Sequence, residues 1–308
     1  PVIYADNAAT TALDIDAFEA MKPYLLKEYG NASQPYSFAR SAKKALAAAR
    51  KTIADCIGAQ PEEIFFTSGG TESDNWAIKG TLQYGDGRAI LTSQIEHHAI
   101  LNACASVERL GYPVVYLSVD QKGVLTPATL NKFITGNTKL VSVMLVNNEI
   151  GTIEPIKELA EIAHIHGAFF HTDAVQAVGH IPVNVTVLGI DMLSASAHKF
   201  NGPKGVGFLY IRKGTDIHSL VDGGAQEFGM RAGTENIAAI VAMAEALRKN
   251  CAHMDETESR LCKMENSFIH ALNKAGIDFI RNGADNHLPG NISISIKNAS
   301  GEMLLHRL

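Results

Sequence analysis

Between residues 64 and 211, short apolar β-rich runs alternate with stretches of helical composition. The pattern predicts strands at 64–67, 89–92, 114–117, 140–146, 168–171, 192–195 and 206–211. It predicts helices after Thr71, over 98–109 and over 156–166, with Gly167 as the stop. The run 140–146 is broken only by Ser142, as in a strand buried on both faces. Strand–helix alternation implies βαβ units, hence an α/β fold with a mostly parallel sheet and right-handed crossovers. Beyond Asn236 the pattern changes. Residues 237–275 are helix-forming, with a break near 250–253. The run 277–280 and the alternating 291–296 follow, the latter reading as a half-exposed antiparallel strand. The expected division is a large domain over 13–245 and a smaller α+β domain from 1–12 and 246–308. No repeat, linker or charge run interrupts the chain.

Composition narrows the classes. Of 308 residues, 46% are hydrophobic and 19% charged, enough apolar material for a core and too much for a disordered chain. The net charge of −5 gives no basic excess for a phosphate backbone, so no nucleic-acid partner is expected. Cys56, Cys104, Cys251 and Cys262 are too few for a disulfide framework and form no C-x-x-C pair. A reducing, cytoplasmic setting without a metal follows. No apolar run approaches the roughly 18 residues of a membrane span, and the N-terminus lacks a signal-peptide pattern. Pro1 reads as the product of initiator-Met removal. Residues 302–308 read as the middle of a helix without a C-cap, as if the chain were cut short there.

In an open parallel sheet, ligands bind at the carboxyl ends of the strands. After 64–67 comes Ser68-Gly69-Gly70-Thr71-Glu72-Ser73, two glycines before a helix start. That is an anion site or an ordinary tight turn; it is neither a Walker loop nor G-x-G-x-x-G. After 168–171 comes Thr172-Asp173, a carboxylate at a half-buried edge that either wants a cation or caps a helix. After 192–195 comes Ser196-Ala197-His198-Lys199-Phe200. Lys199, flanked by apolar residues, suits nucleophilic amine chemistry, unless it simply reaches solvent. Lys204, inside a Gly-Pro-Lys-Gly turn, is the weaker rival. Gln94 to His98 and Asn147-Asn148-Glu149 end two further strands and read alone as loop polar residues. Together, an anion cup, an Asp, a Lys and a His suit pyridoxal 5'-phosphate (PLP), which needs a phosphate site, a carboxylate, a lysine and a stacked ring.

Several ordered motifs strengthen this. They are Tyr4-Ala5-Asp6-Asn7-Ala8-Ala9-Thr10-Thr11, Tyr29-Gly30-Asn31-Ala32-Ser33, 67–75, Glu96-His97-His98, 146–151, 171–176, 196–199 with 202–207, and Arg231-Ala232-Gly233-Thr234-Glu235-Asn236. With them the chain resembles, almost end to end, the cysteine desulfurases of the class V aminotransferase superfamily. The resemblance implies the aspartate-aminotransferase-like fold of PLP-dependent transferases. It implies conversion of L-cysteine to L-alanine, with a persulfide passed to a sulfur acceptor or iron–sulfur scaffold protein. Lys199 would hold PLP and move protons, Asp173 would pair with the pyridine nitrogen and Gln176 would bond the phenolic oxygen. His97 would stack on the ring and serve as acid or base. Gly70, Thr71, Ser196 and His198 would bind the phosphate, and Asn148 would lie near the phenolic oxygen and substrate carboxylate. Thr234 would reach the neighbouring subunit's phosphate, implying a homodimer. The family's attacking cysteine and its carboxylate-binding arginine would fall beyond Leu308. Pro35-Tyr36-Ser37 and Phe228 stand where the family often has His and Arg. None of the four cysteines reads as the attacking thiol, so the chain as given is not expected to complete desulfuration. The alternatives are a selenocysteine lyase, another class V PLP enzyme, or a non-catalytic scaffold.

Overall fold

A computed structural model describes residues 3–83 and 87–306, so Pro1 and the last two residues of 302–308 lie outside the described residues. The helices are α1 (Ile15–Leu26), α2 (Arg40–Ile57), α3 (Gly70–Gly80), α4 (His98–Glu108), α5 (Pro127–Phe133), α6 (Ile156–Ile165), α7 (Ile237–Ala252), α8 (Met254–Lys274) and α9 (Gly301–Leu305). The strands are β1 (Ile64–Thr67), β2 (Ala89–Ser93), β3 (Val114–Leu117), β4 (Thr138–Ser142), β5 (Phe169–Asp173), β6 (Met192–Ser196), β7 (Gly207–Ile211), β8 (Phe279–Arg281) and β9 (Ile294–Ile296).

Seven strands form one sheet in the order β1-β7-β6-β5-β4-β2-β3. From β3 to β6 every pairing is parallel; β7 runs against both β6 and β1. The sheet is thus mostly parallel, as the alternation implies. β4, β6 and β7 are buried throughout; β7 is accordingly an apolar run, whereas β4 and β6 also bury polar residues, Thr138, Lys139, Ser142, Ser194 and Ser196. Apolar side chains cover both faces. Ile53, Val141, Phe170, Phe208 and Met243 belong to one core cluster; Trp76, Ile90, Leu140 and Leu209 belong to the other.

The predicted strand at 140–146 ends early, at Ser142. Val143 and Leu145 still donate their N–H groups to the carbonyls of His171 and Asp173. Met144 instead donates to both oxygens of the Glu96 carboxylate, which breaks the ladder. The break near 250–253 falls at His253, between α7 and α8. α9 is not a helix interior at 302: Ser300 caps it, its hydroxyl accepting from the Met303 N–H. β8 and β9 pair antiparallel with half-exposed side chains, as the alternation at 291–296 predicts. Among the described residues, no helix is long and apolar enough to cross a membrane.

Candidate active site

A cavity of about 950 Å³ opens where β1, β2, β5 and β6 end, and the N-terminal segment passes across it. Gly69, at φ 148°, turns the chain from β1 into α3, a backbone angle that favours glycine. A Cβ on Gly70 would lie 2.6 Å from Val175 Cγ2, so the loop packs against the segment after β5. Gly70 and Thr71, the first residues of α3, line the cavity, and the free N–H groups of a helix start suit an anion. Glu72 is turned from that role. Burial opposes its charge, but Arg231 at 2.8 Å and the Ser68 N–H hold its carboxyl below the usual range.

Asp173 ends β5 and is only 4% exposed. Among the described residues its carboxylate accepts one hydrogen bond, from the Val175 N–H at 2.9 Å, and has no ion-pair partner. Burial pushes its pKa up; His97 and Lys199 pull against that. Lys199, just past β6, donates to the carbonyls of Ala8 and Ala9, and Gln176 also donates to Ala8 at 2.9 Å. Burial lowers the lysine pKa, opposed by Asp173 and Asp6. His97 caps α4 by accepting the Ala99 N–H at Nδ1, 3.1 Å away. In the neutral ring the proton therefore sits on Nε2.

His198 Nδ1 lies 3.1 Å from the Thr10 hydroxyl, its pKa lowered by burial and then by Lys199 and Lys204. Ser196 and Asn148 also line the cavity, Asn148 donating to Glu149 at 2.7 Å. The rival Lys204 lines the mouth but is exposed. Thr234 is exposed and outside this chain's cavity lining. None of the four cysteines lines the cavity. Cys104 is buried with its thiol pushed up to about 12, and Cys56 on α2 and Cys251 on α7 are free thiols packed against one core cluster.

Sequence reasoning missed two buried acids. Asp74, on α3, lines the cavity and is 1% exposed. Glu96 lies behind His97, accepting from Ser93 at 2.5 Å and from Met144. One available signal was an acid one turn into a helix that also carries Trp76, Ala77 and Ile78. The carbonyls of Ala8 and Ala9 were equally hidden, because backbone acceptors have no side-chain signature.

The residues present fit PLP. Asp173 is a buried carboxylate with no ion-pair partner among the described residues, α3 begins at the cavity wall where a helix start suits a phosphate, and Lys199 is an amine held by carbonyls alone. Carboxylate and imidazole atoms of Asp74, His97 and Asp173 lie within 4.8 Å of one another. That spacing also suits a cation, but the lysine and the anion cradle on the same cavity suit an organic phosphate better.

The comparisons agree. A family model described as aminotransferase class-V matches residues 3–308. A cysteine desulfurase IscS from Dictyoglomus turgidum is 50% identical over 99% of this chain and 78% of its own length. A cysteine desulfurase IscS from Methanosarcina thermophila is 47% identical over 98% of this chain and 76% of its own. A solved NifS-like protein superposes with a TM-score of 0.95 at 37% identity, covering 99% of this chain and 84% of that one. A structure described as SspA in complex with cysteine superposes with a TM-score of 0.89 at 35% identity, covering 96% and 84%. A family match across nearly the whole chain, with relatives this similar, leaves one conclusion: the chain belongs to the class-V aminotransferases, PLP-dependent enzymes, on their cysteine desulfurase branch.

Proposed function

We propose that this chain is a PLP-dependent cysteine desulfurase in which L-cysteine and an acceptor thiol give L-alanine and a persulfide. The observation that carries the chemistry is a buried, unpaired Asp173 facing one cavity with Lys199 and the α3 N-terminus. Cysteine desulfurases among the relatives, and a neighbour solved with cysteine, select the substrate.

PLP, when bound, supplies an aldehyde for the substrate amine and an electron-withdrawing ring that stabilises negative charge on the substrate. Gly70 and Thr71 would hold its phosphate with backbone N–H groups, and Ser196 and His198 would add donors. The Asp173 carboxylate would keep the ring nitrogen protonated. Lys199 would hold the cofactor covalently; burial raises the fraction of neutral amine at Nζ, the form that attacks an aldehyde and takes a proton. Gln176, anchored on the Ala8 carbonyl, would orient the phenolic side. Asn148 would reach that side and the substrate carboxylate. His97 presents Nε2–H to the cavity because Nδ1 is committed to Ala99, which makes it a proton donor beside the reacting groups.

The finer partner reading is a homodimer passing sulfur to an acceptor or iron–sulfur scaffold protein, in the reducing cytoplasm that thiol chemistry favours. Ile3, Tyr4, Phe18, Leu25, Leu26, Tyr29, Tyr36 and Phe38 are all exposed, an apolar concentration that a partner copy would cover. Thr234, free of its own cavity, would then serve the partner's. Sedimentation at micromolar concentration is expected to give a dimer.

The test of the activity is release of alanine and sulfide from L-cysteine with a reductant, after an absorbance band abolished by borohydride verifies PLP. A protein with the band that turns over L-selenocysteine alone would transfer the assignment to a selenocysteine lyase. A protein without the band would be a scaffold.

A further inference from the structure

The segment from Gln226 to Gly233 lies outside the cavity lining, yet it grips the chain on both sides of the anion cradle at Ser68–Thr71. On the β1 side, Glu227 is 5% exposed. Its carboxylate accepts two hydrogen bonds from the Arg50 guanidinium, at 2.7 and 2.8 Å, and a third from the Phe66 N–H at 2.9 Å. Arg50 also donates to the Ile64 carbonyl. β1 ends the order of the sheet and pairs with β7 alone, so this ion pair occupies its outer edge. On the α3 side, Arg231 donates through Nε and Nη2 to the two oxygens of Glu72, at 2.8 and 3.1 Å. Glu72 in turn accepts the Ser68 N–H at 2.8 Å. Gln226 Oε1 accepts the Gly233 N–H at 3.1 Å and closes the segment on itself.

The backbone between the two grips is strained. Glu227 at φ 46° and Phe228 at φ 59° are consecutive non-glycine residues in the left-handed region. Such a conformation persists where the surroundings over-determine it. Arg50 does so here: besides its pairing with Glu227, its guanidinium lies 4.5 Å from the Phe66 ring and 5.0 Å from the Phe228 ring. A buried ion pair adds little stability over apolar packing of the same shape, but its two-pronged geometry fixes one orientation. That orientation carries Arg231, four residues on, to Glu72. Glu72 lines the cavity together with Gly70 and Thr71, where an unpaired carboxylate would repel a phosphate. Arg231 neutralises it, and the paired carboxylate holds the Ser68 turn.

We propose that Glu227 and Arg231 are positioning residues for the cofactor phosphate. Glu227, locked on Arg50, fixes the end of β1 from which the cradle springs. Arg231 fixes the first turn of α3 and cancels the Glu72 charge beside the anion. The inference rests on the PLP reading of the cavity. It separates the cofactor into two parts: the clamp acts on the phosphate, whereas the ring and aldehyde are served by Asp173 and Lys199.

The experiment titrates the apoprotein by absorbance with PLP and, separately, with pyridoxal, which has the same ring and aldehyde but no phosphate. Thermal unfolding of each apoprotein verifies the fold. Glu227→Gln and Arg231→Gln are each expected to weaken PLP binding by about 10-fold or more, the scale of one hydrogen bond to a charged group, and to leave pyridoxal binding as in the parent. Where Glu227→Gln does not fold because Arg50 is left buried and unpaired, Arg231→Gln carries the test, since that side chain is partly exposed. A folded Arg231→Gln protein with parental PLP affinity overturns the proposal. So does an equal loss of PLP and pyridoxal affinity, which a general loosening of the fold would produce. A parent protein that binds pyridoxal as tightly as PLP, or never shows the borohydride-sensitive band, defeats the reading of the cavity instead, so the two failures are distinguishable.

Discussion

Gly207→Ala is a one-carbon test of how the anion cradle is held. Gly207 opens β7, opposite Thr67 of β1 on one side and Ser196 of β6 on the other. It thus lies between the strand that leads to the cradle and the strand that leads to Lys199. A Cβ there would sit 2.4 Å from the Ala195 carbonyl oxygen, 2.7 Å from Gly69 Cα and 3.0 Å from Gly69 C. All three are backbone atoms, so no rotamer change relieves the clash. β6 is buried on both sides, and the movable element is the loop at Gly69. Overpacking of this kind costs about 1–3 kcal/mol. If the cradle absorbs all of it, PLP affinity falls about 5- to 140-fold, at about 1.4 kcal/mol per factor of ten. If the whole fold absorbs it, Tm falls by about 2–4 °C for each kcal/mol. The assay is PLP titration of the apoprotein by absorbance, with thermal unfolding of apo and loaded forms. Gly87→Ala is the control, since nothing lies within 4 Å of a Cβ at that exposed site. A Gly207→Ala protein matching the parent in both affinity and Tm would refute the reasoning.

Lys199→Ala is expected to lose the borohydride-reducible chromophore and Lys204→Ala to keep it, as read by absorbance and intact mass; the reverse would exchange their roles. Asp173→Asn should bind PLP more weakly and lower turnover by about 100-fold or more, the scale of losing one preorganised electrostatic group; near-parental turnover would reduce Asp173 to a cap for the following turn. Glu96 gives a pH prediction. Burial raises its carboxyl from 4.5 to about 8, so the folded state binds a proton that the unfolded chain releases. Its contribution is complete below pH about 4.5 and fades as pH climbs to about 8, up to about 5 kcal/mol as an upper bound. Denaturant unfolding at several pH values should show that decline, Glu96→Gln should flatten it, and equal slopes in the two proteins would count against the buried-acid reading.

Local pattern revealed the strands because each is short, apolar and followed by its chemistry. Asp173 and Lys199 were legible for that reason: a charge directly behind a buried strand is costly unless it is used. The direction of β7 was not read from the pattern, although counting residues bears on it. The ten residues 197–206 are too few for a parallel crossover, so the strand after them must run antiparallel. The partner of β7 on its other side was not legible. β1 lies far earlier in the chain, and no periodicity encodes a pairing across that distance. The early end of β4 was hidden for a similar reason, because a carboxylate from residue 96 claims the Met144 N–H.

Asp74 shows why a buried site is harder to read on a helix than on a strand. On a strand, alternation assigns each residue a face. On α3, the faces are known only once the helix has docked, and Ser73 and Asp74 then point into the fold while Thr71 remains exposed. The consequence is electrostatic. Burial drives Asp173 toward its neutral acid and Lys199 toward its neutral amine, so the protein alone disfavours both charges that the site displays. A cofactor with an anionic phosphate and a protonated ring nitrogen reverses that balance. Its phosphate would meet the α3 donors, and its ring nitrogen would give Asp173 the ion-pair partner it lacks among the described residues. The ligand's charge pattern is thus the complement of what this chain leaves unsatisfied, and the unsatisfied groups, more than the cavity's size, define what belongs there.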